Sequence, residues 1–308
     1  MKAFLTTLFF AAVLLCPCAY AQQSDALHKQ FLEFKAAAEK GNAIAQNNLG
    51  ACYYTGEGVE KDFAEAVKWY RKGAEQGYAY AQRNLGVCYD SGEGVTKDDA
   101  EAVKWYRKAA EQNVAGAQFN LGVCYRKGEG VMKDAAEAAK WYRRAAEQGH
   151  AGAQNNLGLF FYKGEGVEKD IAEAVKWYRK AADRNNAGAQ CNLGICYYEG
   201  VGVEKNYTEA VKWFLKAAES GEVSAQRNLG VCYRDGIGVE KDHVEAYAWL
   251  NLASTTLKDA AENRDNLEKT MSPKQLGDAQ NRMTELRSRI DTNLTRERQV
   301  NLELMRNR

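Results

Sequence analysis

The chain has almost no histidine, no excess of either charge and only one long apolar run, and each shortage removes a class of function. His28, His150 and His243 are the only histidines, and none has a second histidine at helical spacing, so no His-Glu-x-x-His metal site can form. Gly-x-Ser-x-Gly and Ser-x-x-Lys are missing as well, which leaves no motif that pairs a nucleophile with a base. No catalytic residue, cofactor site or metal site is therefore expected. Basic and acidic residues number 42 and 41, a balance that excludes a polyanion-binding surface and with it nucleic acid. Basic sets such as Lys68-Trp69-Tyr70-Arg71-Lys72 follow an acid such as Glu65 and read as a solvated helix face.

The one apolar run, Ala3 to Leu15, follows Lys2 and precedes the small-x-small site Ala19-Tyr20-Ala21. That order describes a secretory signal peptide over residues 1–21, with a mature chain from about Gln22 that is secreted or periplasmic. Leu15 before Cys16 and Pro17 before Cys18 do not supply the small residue that a lipoprotein site needs. No later segment approaches the roughly 18 to 20 apolar residues of a membrane helix, so no integral membrane segment is expected in the mature chain.

What the chain has in abundance is itself. Written in rows of 36, it repeats six times from Gly41 to Thr256 without an insertion or deletion. Such a period marks an array of stacked units, each packing on its neighbours, and shifts the functional question from catalysis to binding. In each unit a first helix, A, runs from about Ala43 to Tyr54 in the first copy, with Ala45, Leu49, Cys52 and Tyr53 on one face. Gly56-Glu57-Gly58-Val59 then supplies a glycine cap and a turn. These Gly-x-Gly pairs follow a helix instead of a strand and lack a third glycine, so turn chemistry accounts for them and phosphate binding does not.

Helix B opens with Asp62 and Glu65 at capping-box spacing, repeated as Asp98/Glu101, Asp134/Glu137, Asp170/Glu173, Asn206/Glu209 and Asp242/Glu245. Its one tryptophan per unit, from Trp69 to Trp249, is expected to face inward against small residues such as Gly50 and Ala45. Asn206-Tyr207-Thr208 and Asn293-Leu294-Thr295 match glycosylation acceptors, the first overlapping a helix cap.

Eight cysteines in an exported chain suggest disulfides, yet the slots argue otherwise. Cys16 and Cys18 belong to the expected signal. Cys52, Cys88, Cys124, Cys196 and Cys232 share one slot, whose remaining member is Phe160, so the slot behaves as apolar filler. Equivalent residues of successive A helices lie roughly 8 to 10 Å apart or more, beyond the approximately 7 Å Cα limit of a disulfide. Cys191 is outside the slot and is left as a free thiol or an intermolecular link.

Ala43-Ile44-Ala45-Gln46, Leu49-Gly50-Ala51-Cys52-Tyr53, Gly56 to Val59 and Lys61-Asp62 recur through Ala225-Gln226, Leu229-Gly230 and Lys241-Asp242. This frame resembles the Sel-one-like repeats of the tetratricopeptide superfamily. The resemblance implies an all-α fold, a right-handed superhelical solenoid of antiparallel helix pairs, with helix A lining a concave side used for binding other proteins. It also brings a rival, because cysteine-rich relatives with paired cysteines in every repeat are associated with penicillin binding and weak β-lactamase activity. This chain lacks that pairing.

Caps are expected at both ends. Residues 22–40 read as a lone helix B with Glu33 in the tryptophan slot; residues 257–290 read as two capping helices, and 291–308 as frayed helix or polar tail. Between the caps, helix-A slots that vary from unit to unit are free to recognise something. One slot holds Asn47, Arg83, Phe119, Asn155, Cys191 and Arg227; another holds Tyr54, Asp90, Arg126, Tyr162, Tyr198 and Arg234. Tyrosine, arginine and phenylalanine are enriched at binding hot spots, so Asn47, Tyr54, Arg83, Asp90, Phe119, Arg126, Asn155, Tyr162, Tyr198, Arg227 and Arg234 form the candidate surface for a protein or peptide partner. An unconstrained surface remains the competing account. Three functions stand open: an exported non-catalytic scaffold, a β-lactamase-like or peptidoglycan-active enzyme, and a cell-wall glycan binder.

Overall fold

A computed structural model describes the backbone of residues 17–306 and the side chains of residues 25–296. The expected signal, apart from its last five positions, lies outside the described residues, as do the side chains of Cys16 and Cys18. Every regular element among the described residues is an α-helix, and no helix there is long and apolar enough to cross a membrane. The chain divides into two compact units, residues 1–105 and 106–308. The first holds α1 (Pro17–Glu39), α2 (Ala43–Thr55), α3 (Phe63–Glu75) and α4 (Ala79–Ser91). The helix α5 (Asp99–Glu111) begins in the first and ends in the second. The second then continues through α6 (Ala115–Lys127), α7 (Ala135–Glu147), α8 (Ala151–Lys163), α9 (Ile171–Ala182), α10 (Ala187–Glu199), α11 (Tyr207–Glu219), α12 (Val223–Asp235) and α13 (His243–Ser254), and closes with α14 (Lys258–Glu268) and α15 (Pro273–Arg306). Within each unit the A and B helices pack against their neighbours in turn, and at the end α14 and α15 both pack on α13.

The turn chemistry is more specific than a flexible link. Gly56 adopts φ 82°, a left-handed cap whose N–H returns to the Cys52 carbonyl. The second glycine has a different duty. A Cβ on Gly58 would stand 2.3 Å from the Leu27 carbonyl oxygen, and one on Gly166 would stand 2.2 Å from that of Ala135, so these turns lie directly on the backbone of α1 and of α7. At the return from helix B to helix A, Asn113 and Asn185 hold φ of 65° and 59° where other units have glycine, a conformation asparagine tolerates better than most residues.

Helix B starts as expected, but only half of the capping box forms. The Asp62 carboxylate accepts from the Glu65 N–H at 3.0 Å. The reciprocal arm is absent because the Asp62 N–H already donates to the Tyr53 carbonyl, and Glu65 instead pairs with Lys68 at 2.5 Å. The same exchange recurs at Asp170, whose N–H goes to Phe161, while Glu173 takes Lys176.

In the cores the hole left by glycine is filled by the residue after the tryptophan, which is Tyr70, Tyr142 or Tyr178 and, further along, Phe214 and Leu250, a correction to the expected tryptophan. A Cβ on Gly50 would meet the Tyr70 ring at 2.7 Å, and one on Gly158 the Tyr178 ring at 2.8 Å. Trp69, Trp141 and Trp213 are only half-buried, while Trp105, Trp177 and Trp249 are buried. A cation lies over several of the rings, Lys72 at 3.9 Å from the Trp69 centroid and Lys180 at 4.1 Å from that of Trp177, contributing about 0.5–1 kcal/mol each. The repeated glutamine reaches from helix A to a carbonyl near the end of the preceding B helix, Gln82 to Ala74 at 3.2 Å and Gln190 to Ala182 at 3.3 Å. It thereby satisfies a C-terminal orphan.

The slot cysteines are buried and form no disulfide among the described residues, consistent with filler. Cys191 is buried as well, at 3% exposure, which removes the intermolecular link. Burial pushes the Cys191 thiol up to about 12 and that of Cys196 to about 11. Such thiols carry almost no thiolate near neutral pH.

At the C-terminal end α15 packs on α13 and α11. Its seat is visible in the repeat frame: Leu215, Ala248 and Leu252 stand where other units carry arginine or lysine. With Lys replaced by Ala248, Glu245 turns to the Trp249 indole N–H and to Arg282 of α15 at 2.6 Å. Arg289 pairs with Glu219 at 2.8 Å, and Leu286 and Ile290 enter the core.

Candidate functional site

The candidate residues do not form one exposed stripe. In the first unit Asn47 is buried, at 7% exposure, giving its amide proton to Asn48 and accepting from Asn84 at 2.9 Å. Its slot therefore serves packing between A helices as much as display. Tyr54 is half-buried and donates to Glu93 at 2.5 Å; burial first, then this carboxylate, pushes its phenol well above the ordinary range. Arg83 gives one proton to Asn84, while its Nε is buried without an acceptor, and Asp90 is half-buried nearby in sequence on α4.

In the second unit the C-terminal members are already engaged by α14. Arg227 is bound to Asp259 at 2.6 Å. Arg234 is bound to Asp235 at 2.7 Å and to Asn263. These two arginines thus fasten the cap. Cys191 leaves the variable slot for the core. What remains on the A helices α6, α8 and α10 is Phe119, Arg126, Asn155, Tyr162 and Tyr198, all half-buried.

Their surroundings tie α6 to α7 and to the start of α8. Phe119 stacks on His150 at 4.6 Å and tilts against Tyr142 at 5.9 Å. His150 caps α8 by accepting from the Ala153 N–H at 3.2 Å, so its place is structural. His28 likewise serves the fold, donating to the Gly58 carbonyl at 2.7 Å. Tyr142 is fully buried, its ring over Gly122 of α6. Its hydroxyl lies beside the Arg126 guanidinium and the Asn156 amide; burial raises its pKa and those two neighbours pull against that rise. No geometrically good hydrogen bond satisfies that hydroxyl, and the Arg126 Nε is buried without an acceptor. Tyr198 packs edge-on to Tyr207 at 5.1 Å, and Asn192 donates to Asn155 at 3.0 Å.

Two contributors escaped the sequence reading. Asn48, Asn84, Asn120, Asn156, Asn192 and Asn228 occupy one slot in all six units and are half-buried throughout, and Tyr142 reaches this face from helix B. The signal was present: a polar residue held constant among apolar constants. Attention to variable slots alone passed over it.

No group of three or more metal-ligating residues gathers among the described residues. A hollow of about 590 Å³ beside α15, lined by Glu219, Tyr233, Glu245, Arg282 and Arg289, has its charges paired across it and belongs to the cap.

Helix pairs of fixed length, caps at set positions and a buried slot pattern define an α-helical repeat protein of the solenoid class. The Sel1 repeat family model matches at residues 43–78, 79–114, 115–150, 151–186, 187–222 and 223–255, and the chain belongs to that family. A Sel1 repeat protein from Oxalobacter formigenes is 38% identical, with a TM-score of 0.67, over 75% of this chain and 96% of that one. The protective antigen c5321 of uropathogenic Escherichia coli, which displays the same type of repeat fold, is 29% identical with a TM-score of 0.45, over 88% of this chain and 82% of its own. No curated protein matches the chain. Sel1 repeat proteins generally act as scaffolds for protein–protein interaction, and their fold is typically non-catalytic.

Proposed function

We propose that this chain is an exported, non-catalytic scaffold that holds a partner protein or peptide on the A-helix face of its second unit. One observation carries the reading: Phe119, Arg126, Tyr162 and Tyr198 lie partly open on successive A helices whose other slots are occupied by packing. Aromatic and arginine side chains at that exposure are the types that dominate binding energy, because they bring large area or a planar donor fork at small entropic cost. Export is supported by Lys2, the Ala3–Leu15 run and Ala19-Tyr20-Ala21.

The test is capture by cross-linking of the mature protein in its native envelope fraction, with a Tyr162→Ala, Tyr198→Ala double variant alongside. A captured partner should be lost from the double variant by about tenfold or more, with helicity and melting unchanged. Equal capture by both proteins would remove this face from the account. Mass measurement of the exported form, expected to begin at Gln22, checks the export part separately.

A further inference from the structure

The chain holds two acceptor signals for an N-linked glycan, Asn206-Tyr207-Thr208 and Asn293-Leu294-Thr295, and the fold treats them oppositely. Asn293 lies within α15, half-buried, and its amide nitrogen donates to the Glu219 carbonyl at 3.1 Å. Leu294 beside it rests on the turn after α11, where a Cβ on Gly221 would stand 3.5 Å from its side chain. A sugar on Asn293 would break that bond and lift α15 from its seat. Asn206 instead opens α11 at the surface, and every residue from Glu204 to Thr208 is exposed. Its Oδ1 accepts from the Glu209 N–H at 2.9 Å, whereas its Nδ2 has no hydrogen-bond partner among the described residues. The capping atom and the atom that would carry a sugar are therefore different, and substitution at Nδ2 leaves the carbonyl and its cap in place.

The repeats supply a second, independent observation. At the slot of Asn206 the other five units carry Asp62, Asp98, Asp134, Asp170 and Asp242, and at the slot of Thr208 they carry Ala64, Ala100, Ala136, Ala172 and Val244. Neither departure serves the helix. Aspartate caps as well as asparagine and brings a charge favoured at a helix start, while alanine is a better helix former than threonine. The Thr208 hydroxyl, moreover, makes no hydrogen bond among the described residues. Both departures fall in one unit, two residues apart, which is the spacing an acceptor signal requires.

Resting on the export part of the reading above, we propose that Asn206 is the attachment site of an N-linked glycan. The donor is a lipid-linked sugar phosphate and the catalyst a membrane oligosaccharyltransferase. A bond forms between Nδ2 and the anomeric carbon as the bond from that carbon to the phosphate oxygen breaks; the lipid phosphate leaves with the electron pair, and Nδ2 gives up a proton to the transferase. Asn293 stays unmodified in the folded chain.

The test incubates the purified folded chain with an oligosaccharyltransferase and its lipid-linked oligosaccharide, beside free peptides covering residues 202–210 and 289–297, and maps the products by mass spectrometry. Both peptides should gain a glycan, and the folded chain should gain one on Asn206 alone. Thr208→Ala and Asn206→Asp, each of which returns a slot to its usual residue, should abolish that gain with circular dichroism and melting matching the parent. A bare Asn206 on a folded chain whose free peptide is accepted, or equal modification of both asparagines, would overturn the site. In the native envelope fraction the chain that begins at Gln22 should exceed its sequence mass by the glycan, and an unmodified Asn206 there would overturn the site as well. A native chain that retains residues 1–21 would sink the export reading instead and leave the transfer assay to decide.

Discussion

The same 36-residue frame gives its A-helix faces different partners in the first unit and in the second. In the first, Tyr54 spends its proton on Glu93, Asn84 bonds to Asn47, and Asn47 bonds to Asn48. In the second, the slot of Tyr54 holds Arg126, whose Nε has no acceptor among the described residues. Scaffold slots are alike in both. The Gly50–Tyr70 contact of the first unit is matched by Gly122–Tyr142 in the second, and the Arg71–Tyr89 bond at 2.7 Å by Arg179–Tyr197 at 2.6 Å. A few slots therefore change while the packing around them stays fixed.

Three substitution experiments would break or sharpen this contrast. The largest effect belongs to what the units share: Gly94→Ala and Gly166→Ala each place a Cβ about 2 Å from a backbone carbonyl at positive φ, and each should cost about 2–4 kcal/mol in urea unfolding of the full chain. Clearly unequal costs would show that the scaffolds differ and would undo the premise. A smaller effect tests the first of these faces. Tyr54→Phe should lose about 1 kcal/mol, since a half-buried hydrogen bond to a carboxylate is removed, whereas Tyr162→Phe, with no bond of that kind, should change stability little. Similar losses in the two variants would mean that the first face is not specially satisfied.

The smallest effect concerns the Arg227–Asp259 fastening. Hydrogen bonding from Arg227 holds the Asp259 carboxyl below its ordinary value of 3.8, so its contribution is present above about pH 4 and is lost as pH falls through the folded-state value. Both groups are largely in solvent, which limits the loss to about 0.5 kcal/mol. Asp259→Asn should flatten that acid-side slope; an unaltered slope would assign it to other carboxylates.

Much of this was readable from residues alone. Period, helix limits, the N-cap acids and the filler role of five cysteines follow from local chemistry, which the chain repeats six times over. The partner of Gly50 was not readable. Trp69 and Tyr70 are neighbours on helix B, and only the angle at which two helices meet decides which ring enters the hole. Asn47, Arg227 and Arg234 were misplaced for a related reason. A slot's exposure depends on what packs next to it, and α14 covers the last A helix with Asp259 and Asn263 in a way no repeat predicts. The seat of α15 was legible in principle, through Leu215, Ala248 and Leu252 in charged slots, but only to a reader who knew that a helix would arrive there.

The second glycine of each turn bears on how such a chain can change over time. Because Gly58 and Gly166 rest against the backbone of the preceding helix B, a residue gained or lost in the turn would lift the loop from its seat and rotate everything after it. Small insertions are therefore barred where surface loops ordinarily absorb them. The array can lengthen or shorten only by whole copies, so its length grows in equal steps, like the links of a chain.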